Sequence, residues 1–444
     1  MNTRRSFLKT ATTASLVAPW IGWKSTASGA APSGDLRFAN FGANGRAWGD
    51  LTSMMEVPNV SLVAVAEVDL SRMDKLNETY PGTKVFQDWR ELLDKVGNEI
   101  DAVVIGTPDH MHAPIAMAAM QLGKHVYCEK PLTRTLHEAR RLREYASANG
   151  LMSQMGIQVA SSAGNQTAVK LLQSGLVGKV KEVHSMCPKS WGAMTSLPEI
   201  DEAPPATLDW DKWIGVAKMR KFVAREFHPS NWRKRIGYGT GTLGDMGCHI
   251  YHPWFMGLQQ PTTLEVTSLG PAPVDGDSWP LDGKIHHRMK GNELTDGDFD
   301  FTWYDGTQRA PEHVIAAVGV TENVPSSGSV VIGTTGVLAI PHGGDLPKLY
   351  RGGVLSTDPI EAVEAGHHHR NFVEAIRGDI PGKPLTNFDY SGPMTETVLL
   401  GTVAMRLPGV TLKWDESGGR FVDSDQANGL IHDPYRAGWE VEGI

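Results

Sequence analysis

The chain has 444 residues, of which 41% are hydrophobic and 21% are charged, a composition typical of a globular protein with room for two domains. The net charge is −8 and there are no basic clusters, which argues against nucleic acids and anionic membranes as partners. The three cysteines, Cys128, Cys187 and Cys248, provide neither a framework of paired disulfides nor a metal-binding spacing.

The first 30 residues have the pattern of an export signal. Arg4 and Arg5 are followed by Ser-Phe-Leu-Lys, a weakly apolar run to Ile21 and a patch of small residues at 27–31. This combination predicts a twin-arginine signal peptide, which directs folded cargo out of the cytoplasm. A Sec signal and a plain basic tail are the alternatives. The apolar run is too short to span a bilayer, and nothing downstream predicts a transmembrane helix.

Residues 35–157 alternate between short apolar runs and segments with helical spacing. The predicted strands are DLRFANFG, SLVAVAEVD, KVFQ, DAVVIGTP, HVYCEKP and LMSQMG. Helices are predicted between them, the first from about Arg46 to Met55. Strands that alternate with crossover helices imply a parallel, doubly wound sheet covered on both faces. Ligands of such sheets bind at the carboxyl ends of the strands, where the connections diverge.

The loop after the first predicted strand, FGANGRAW, is similar to a dinucleotide-binding fingerprint. Gly42 and Ala47 fit its first and third positions, and Asn44, followed by Gly45 and Arg46, occupies the second. Because asparagine tolerates left-handed backbone, we expect the turn to survive this replacement. An ordinary glycine turn is the alternative when the loop is considered alone.

Glu67 ends the second predicted strand, where an acid is expected to bind the ribose hydroxyls of adenosine. A carboxylate at this position repels a 2′-phosphate, so the predicted cofactor is NAD rather than NADP. Arg72 lies nearby in the sequence and weakens this preference.

In the second half, GTGTLGDMGCHIYHPWFMGL predicts an apolar helix. Asp245 and His249 are four residues apart and share one face of this helix, and His252 lies near the same face. Imidazole titrates near neutral pH, so a histidine here suits a general base. A structural core histidine is the alternative for His249.

The remaining stretches TTLEVTSLG, HHRMKGN, DFDFTWYDG and SVVIGTTGVLAI alternate apolar and polar residues between turns, as in an antiparallel sheet with one covered face. The predicted fold class is therefore an α/β domain with a parallel doubly wound sheet over 35–157, then an α+β domain with an open, mostly antiparallel sheet over 158–444. No metal is predicted, because the consecutive histidines 367–369 diverge on a helix and no cysteine or acid completes a site nearby.

Four motifs resemble those of the Gfo/Idh/MocA family of nicotinamide-dependent sugar oxidoreductases. They are FGANGRAWGDL, AVAEVD, GTPDHMHAPIAMAAMQLGKHVYCEKPL and GTGTLGDMGCHIYH. The resemblance implies a Rossmann domain, a nicotinamide cofactor, a carbohydrate substrate and a homo-oligomer, either a dimer or a tetramer. Two departures from the family pattern are Asn44, which replaces a glycine, and His252, which stands where many relatives have an acid.

The resemblance also implies roles for residues at the strand ends. Glu129 would contact the nicotinamide ribose, Lys130 would serve in catalysis, and Thr107, Pro108 and His112 would form the cofactor-side loop.

Lys130, Asp245 and His249 are accordingly the predicted catalytic residues. His249 would be the general base, Lys130 would stabilise the developing alkoxide, and Asp245 would orient the imidazole or bind a neighbouring hydroxyl. We expect the positive nicotinamide ring to depress the pKa of Lys130.

A sugar-binding role is predicted for further polar and aromatic residues, because rings stack on sugar faces and amide or guanidinium groups bind hydroxyls. These residues are Gln158, Asn231, Trp232, Arg233 and His252. For Trp232, a core position is an equal alternative.

The predicted function is NAD(P)-dependent hydride transfer to or from a hydroxyl carbon of a sugar, a sugar derivative or a polyol. The alternative is a glycosidase that oxidises its sugar transiently, eliminates and reduces it again, and a non-catalytic sugar- or nucleotide-binding module is the third reading. The intact Glu-Lys-Pro element at 129–131 favours the oxidoreductase. The predicted location is the periplasm or another site outside the cytoplasm, reached through the twin-arginine pathway. Because free nicotinamide cofactor is scarce outside the cytoplasm, we expect the cofactor to be bound tightly and recycled.

Overall fold

The computed structural model describes residues 34–444, so the predicted signal peptide of residues 1–30 lies outside the described part. The first half of the described chain contains six strands: β1 (Leu36–Phe41), β2 (Val60–Ala66), β3 (Lys84–Phe86), β4 (Ala102–Ile105), β5 (His125–Glu129) and β6 (Ser153–Gly156). Its helices are α1 (Arg46–Met55), α2 (Asp74–Thr79), α3 (Trp89–Val96), α4 (His112–Gln121) and α5 (Leu136–Ala148).

These strands form one parallel sheet in the order β3-β2-β1-β4-β5-β6. The strands β2 and β3 are added on one side of β1, and β4, β5 and β6 are added on its other side. The loops that follow β1 and β4 therefore lead in opposite directions and leave a crevice between them. A reciprocal side-chain cap fixes where α5 begins. The hydroxyl of Thr135 accepts the Glu138 backbone N–H at the start of α5, and the Glu138 carboxylate accepts the Thr135 N–H in return.

The second half builds a larger sheet. Its strands are β7 (Val180–Cys187), β8 (Thr263–Ser268), β9 (Lys284–Met289), β10 (Thr295–Asp305), β11 (Gly328–Gly333), β12 (Val337–Pro341), β13 (Lys348–Arg351), β14 (Val354–Leu355), β15 (Thr411–Asp415) and β16 (Arg420–Phe421). Its helices are α6 (Ala163–Gln173), α7 (Trp210–Ile214), α8 (Gly241–Gly257), α9 (Glu312–Val318), α10 (His368–Arg377), α11 (Phe388–Met405) and α12 (Asp425–Asn428).

The order of this sheet is β14-β13-β12-β11-β7-β10-β9-β8-β15-β16. The neighbours β7 and β10 run parallel, and the other pairs with a register are antiparallel. Both predicted sheets are therefore present, and the predicted fold class is confirmed.

A single hydrophobic core joins the two halves of the described chain. It includes Ile115 and Leu142 from the helices of the first half and Trp254 and Leu399 from α8 and α11. A second cluster covers the opposite face of the parallel sheet, where Phe372 of α10 returns to pack on it. Both faces of the parallel sheet are thus buried, which leaves its carboxyl edge as the open side. Among residues 34–444, no helix is both long enough and apolar enough to cross a bilayer.

Candidate active site

A cavity of about 300 Å³ lies at the carboxyl edge of the parallel sheet, in the crevice between β1 and β4. The loops after β1, β2, β4 and β5 line one side of it. The other side is lined by residues of the second half, which we call the crossing segment (residues 207–233). The predicted cofactor residues Gly42, Asn44, Gly45, Arg46, Glu67, Thr107, Pro108, His112, Glu129 and Lys130 all line this cavity.

The loop after β1 is shaped by contacts that only very small residues permit. Gly42 has φ 102°, and a Cβ there would lie 2.7 Å from the Cβ of Ala47. A Cβ on Gly106, after β4, would meet the same methyl group at 2.7 Å. Left-handed backbone occurs at Gly45, with φ 58°, and not at Asn44, whose side-chain oxygen instead accepts the Gly45 N–H. Asn44, which replaces a glycine of the family pattern, therefore does not need left-handed backbone. The turn at the start of α1 keeps a shape that suits a pyrophosphate.

Glu67 lies at the adenosine end of this cavity. Its two carboxylate oxygens accept the backbone N–H groups of Ala43 at 2.9 Å and Asp69 at 3.0 Å. Asp69 in turn lies 2.9 Å from the ring of His228 in the crossing segment. Burial raises the pKa of Glu67, while the two backbone donors favour its charged form. Arg72 also lines the cavity at this end.

Glu129, at the end of β5, is buried in a polar network. Gln158 Nε2 lies 2.5 Å from Glu129 Oε1 and also donates to the hydroxyl of Tyr127 and to Asp50. Arg46 pairs with Asp50 at 2.9 Å and lies 3.7 Å from Glu129. Burial, together with the Asp50 carboxylate, raises the pKa of Glu129 to about 7. Burial likewise raises the pKa of Asp50 to about 6.

His112 connects the loops after β4 and β5. Its ring nitrogens lie 2.8 Å from the carbonyl oxygens of Pro131 and Thr107. The imidazole therefore fixes the Glu-Lys-Pro element against the Thr107-Pro108 turn, so its role is to hold the cofactor-side loop in place.

Lys130 and Asp245 form the central ion pair of the site. The Lys130 ammonium donates to both the carboxylate and the backbone carbonyl of Asp245 at 2.8 Å. Asp245 also receives Arg233 Nε at 3.2 Å, Trp191 Nε1 at 3.0 Å and the Lys189 ammonium at 3.4 Å. Burial opposes the charge on Lys130, but Asp245 outweighs it and raises the pKa of Lys130. The pKa of Lys130 is thus raised in this structure, whereas we expect a positive nicotinamide ring to lower it.

His249 follows Asp245 by one helical turn but does not pair with it. Its Nδ1 is buried and has no hydrogen-bond partner among residues 34–444. The nearest ring is that of His342, with centroids 5.4 Å apart. Burial and the nearby Lys130 ammonium hold the pKa of His249 well below its ordinary value, so the imidazole is neutral and can accept a proton. Asp245 makes no hydrogen bond to this imidazole within residues 34–444, because its oxygens are engaged by cations and Trp191. The other predicted role of Asp245, binding a neighbouring hydroxyl, stays a prediction.

Only some of the predicted sugar-binding residues lie at the cavity. Trp232 is buried and lines the cavity together with Arg233. Asn231 instead donates to the backbone carbonyl of Arg225, outside the cavity lining.

Two further substrate predictions are corrected, one by burial and the other by its hydrogen bonds. His252 is fully buried, and its Nδ1 lies 2.8 Å from the hydroxyl of Tyr390 on α11, so it belongs to the core. Gln158 does not line the cavity but holds Glu129, as described above. Lys189, Trp191 and His342 were not predicted as site residues.

The three histidines 367–369 bind three different partners. The first caps α10, His368 lies 3.0 Å from the hydroxyl of Ser161, and His369 lies 3.1 Å from Asp50 of the Glu129 network. In the part of the chain that the structure describes, one group of side chains has the proximity that a metal ion needs. It lies on β7 and α9, away from the cavity, and consists of Glu182, His184 and His313.

The parallel sheet, the small-residue loop after β1 and the acid after β2 define a dinucleotide-binding α/β protein. Residues 36–157 match the Gfo/Idh/MocA model described as an oxidoreductase family with an NAD-binding Rossmann fold. Residues 166–274 match the model of that family's C-terminal alpha/beta domain. The two matches together span about half of the chain. The chain belongs to the Gfo/Idh/MocA oxidoreductase family, and its first domain is of the NAD-binding Rossmann type.

Individual relatives are similar over limited lengths. Levoglucosan dehydrogenase from Pseudarthrobacter phenanthrenivorans is 27% identical over 163 residues, which are 37% of this chain and 34% of that protein. This chain therefore spans about a third of that relative's length.

Solved structures match over most of the chain. The aldose-aldose oxidoreductase from Caulobacter crescentus, complexed with glycerol, has a TM-score of 0.59 at 16% identity and covers 86% of this chain and 100% of its own. An inositol dehydrogenase homologue from Azotobacter vinelandii, complexed with NADH and myo-inositol, has a TM-score of 0.57 at 19% identity, covering 86% of this chain and 98% of its own. At these identities the likeness shows the fold.

Proposed function

We propose that the protein is an oxidoreductase that transfers a hydride between NAD and a hydroxyl-bearing carbon of a sugar, a sugar derivative or a polyol. The observation that carries this proposal is the Lys130–Asp245 pair, in which Lys130 lines the dinucleotide crevice and Asp245 lies one helical turn before His249. Levoglucosan dehydrogenase, a relative over part of the chain, is named for such a substrate.

Each of these side chains has a defined task in this reaction. The neutral His249 imidazole takes the proton of the substrate hydroxyl. The Lys130 ammonium stabilises the alkoxide that forms as this proton leaves. Asp245 keeps Lys130 charged and in place through the two 2.8 Å hydrogen bonds. The loops after β1, β2, β4 and β5 would hold NAD, which would supply the hydride acceptor, so that the alcohol becomes a carbonyl and its hydroxyl proton passes to His249.

NAD is favoured over NADP in this proposal. Glu67 places a buried carboxylate at the end of β2, where the ribose of adenosine would lie, and a 2′-phosphate there would meet like charge. Arg72 lines the same end of the cavity and reduces the discrimination.

Retention of the cofactor is the next part of the proposal. The crossing segment is tied to the loop after β2 by the Asp69–His228 contact and by backbone hydrogen bonds from Leu70 to Thr207 and from Asp209 to Val68. A dinucleotide in the cavity would have this segment over its adenosine end, which slows release. A retained cofactor must be restored within each cycle, so the net reaction would be redox-neutral: coupled oxidation and reduction, epimerisation, or hydrolysis through transient oxidation.

The test is the nucleotide content of protein purified without added cofactor. The protein is denatured, and the released NAD, NADH, NADP and NADPH are quantified by chromatography. We expect nearly one NAD(H) per chain, with the same content after extended dialysis. Empty protein that binds NAD weakly would contradict retention, and a predominance of NADP would contradict the role of Glu67. Absence of hydride transfer with every sugar, polyol and glycoside tested on loaded protein would overturn the oxidoreductase itself.

We also propose that the protein is exported and acts in the periplasm as a dimer or tetramer. The support for export is the Arg4-Arg5 pair, and the support for assembly is the edge strand β14, whose Val354 and Leu355 side chains are exposed. Replacing Arg4-Arg5 with Lys-Lys should leave the protein in the cytoplasm, as judged by cell fractionation. Export of this variant would contradict the twin-arginine route, and a monomer in light scattering would contradict assembly.

A further inference from the structure

The Asp245 carboxylate is surrounded by more positive charge than it can neutralise. Lys130 lies 2.8 Å, Arg233 3.2 Å and Lys189 3.4 Å from its oxygens, so three cations share one carboxylate. Asp245 is nearly buried, whereas Arg233 and Lys189 keep 24% and 51% of their side chains exposed. The excess charge therefore faces the open side of the site.

The neighbouring carboxyl groups do not cancel this excess. Burial raises the pKa of Glu129 to about 7 and also raises the pKa of Asp109, whose carboxylate accepts the Thr240 hydroxyl at 2.7 Å. Both groups are buried and line the same cavity as Lys130. In the proposed function, the oxidised nicotinamide ring adds a further positive charge.

Arg233 and Lys189 still have N–H groups to offer. Arg233 uses Nε for Asp245, and no hydrogen bond from its two terminal nitrogens is present within residues 34–444. The rings of Trp232 and Trp191, with centroids 4.2 and 5.7 Å from the guanidinium carbon, hold this side chain in place. Lys189 contacts Asp245 and the sulfur of Met246, which leaves one of its three N–H groups free. These N–H groups are donors that the Asp245 carboxylate does not use.

Uncharged groups that suit hydroxyls lie beside these cations. The Nδ1 atoms of His249 and His342 are both buried and without partners in the described chain. Burial and the nearby lysines lower the pKa of both rings, so neither adds positive charge at neutral pH. The site thus combines two neutral imidazoles with an unbalanced cationic rim.

We propose that the substrate is an anionic sugar or polyol, whose carboxylate or phosphate group binds Lys189 and Arg233 while the reacting hydroxyl faces Lys130 and His249. A guanidinium beside an ammonium suits either anion. A neutral sugar of the same shape would leave both cations without a partner and would be discriminated against. This inference rests on the proposed function, because it takes the Lys130 site as the place of reaction.

The test measures binding, so that it does not depend on turnover. NAD-loaded protein is titrated in a calorimeter with matched series: glucose, glucuronate and glucose 6-phosphate, and the corresponding galactose compounds. We expect at least one anionic member to bind about tenfold more tightly than its neutral parent, with a preference that weakens at high salt. The carboxylate and phosphate arms show which anion the site takes. Equal binding of neutral and anionic members, or no binding in any series, would overturn the proposal.

Variants connect the preference to the two cations. Arg233→Met and Lys189→Met should each reduce the anionic preference about tenfold, whereas Arg233→Lys should keep part of it. The matched control is Arg288→Met, which removes a cation paired with Asp300 on the second sheet and should leave the preference unchanged. A preference that survives the Arg233→Met, Lys189→Met double variant contradicts the assignment.

Hydride transfer is followed separately by the absorbance of the reduced nicotinamide. An anionic preference without any turnover would overturn the proposed function and leave the anion site standing. Turnover of neutral sugars without an anionic preference would overturn the anion site and leave the proposed function standing.

Discussion

Gln158 holds Glu129 through a hydrogen bond from its amide nitrogen to a carboxylate oxygen 2.5 Å away. The same nitrogen lies 3.2 Å from Asp50, so one amide stands between two buried carboxyl groups. These groups repel each other when both are charged. The Gln158 amide and Arg46 therefore hold the Glu129 carboxylate in its position at the cavity.

Gln158→Leu should therefore weaken cofactor binding without removing any residue from the cavity lining. Loss of a donor shared by two buried carboxyl groups costs about 1 to 3 kcal/mol, so we expect the Kd for NAD to rise by about 5- to 150-fold. Titration of nucleotide-free protein measures this value. Gln166→Leu is the control, since that amide donates to the Ala160 carbonyl in the same region. An unchanged Kd in Gln158→Leu would contradict the supporting role.

Lys130→Met should abolish most of the hydride transfer while the protein keeps its nucleotide. Removal of a preorganised cation beside a developing alkoxide costs about 10²- to 10³-fold in kcat. Single-turnover reduction of bound NAD measures the step directly. Lys170→Met, which removes an exposed ammonium paired with Glu361, is the matched control. Near-normal turnover in Lys130→Met would remove this lysine from the catalytic assignment.

Asp245→Asn should change the pH profile as well as the rate. The Asp245 carboxylate raises the pKa of Lys130, so its neutralisation lowers that pKa and lets the ammonium lose its proton at a lower pH. The alkaline limb of kcat/KM should then move to lower pH than in the unaltered protein. Measurement across neutral and alkaline pH tests this direction, and an unmoved limb would mean that Lys130 does not act as the charged group.

His252→Leu should destabilise the protein and leave KM unchanged, because this side chain is in the core. The hydrogen bond between its Nδ1 and the Tyr390 hydroxyl is lost, at a cost of about 1 to 3 kcal/mol in the free energy of unfolding. Tyr390→Phe and the double variant complete a cycle that isolates this pair. A large rise in KM with unchanged stability would restore His252 to the substrate site.

Asp305→Asn should alter how stability depends on pH. Burial raises the pKa of Asp305 to about 7, so the folded protein keeps this proton at pH values where the unfolded chain has released it. The contribution of this group to stability is therefore present at low pH and lost as pH rises from about 4 to about 7. Asparagine does not titrate and can still face the Trp303 indole N–H.

Relative to the unaltered protein, Asp305→Asn should gain about 2 to 4 kcal/mol between pH 4 and pH 7.5. Urea unfolding at the two pH values measures the difference. Asp296→Asn, an exposed position of the same strand, should show no such gain. Parallel stability curves for Asp305→Asn and the unaltered protein would contradict the titration.

Local sequence signals were sufficient for the first half of the fold. The predicted helix from Arg46 to Met55 has the same bounds in the structure, because it begins at a left-handed glycine and has a clear apolar face. The second sheet was predicted less completely. Strand β7 has polar residues at Glu182, His184 and Ser185, which break the apolar pattern. Their partners come from distant strands, and local sequence does not reveal them.

The same limit applies to the site. Residues at the ends of β1, β2, β4 and β5 could be grouped from sequence because parallel strands bring their carboxyl ends to one edge. Lys189 and His342 follow β7 and β12 of the other sheet, and no motif or spacing marks them. The helical spacing of Asp245 and His249 correctly put both on one helix, but the Lys130 ammonium, 115 positions earlier in the chain, decided where the carboxylate turns.

The cavity wall contributed by the crossing segment has a consequence for the life of the protein in the cell. A chain of which only the first half has been synthesised lacks one side of the cavity, which is formed by Lys212, Trp213 and His228. Such a chain therefore has no closed cavity for a dinucleotide. A dinucleotide bound in this cavity would then show that synthesis and folding are complete. Under the export that we propose, a molecule that carries its dinucleotide before transport would also be one whose two halves have folded together.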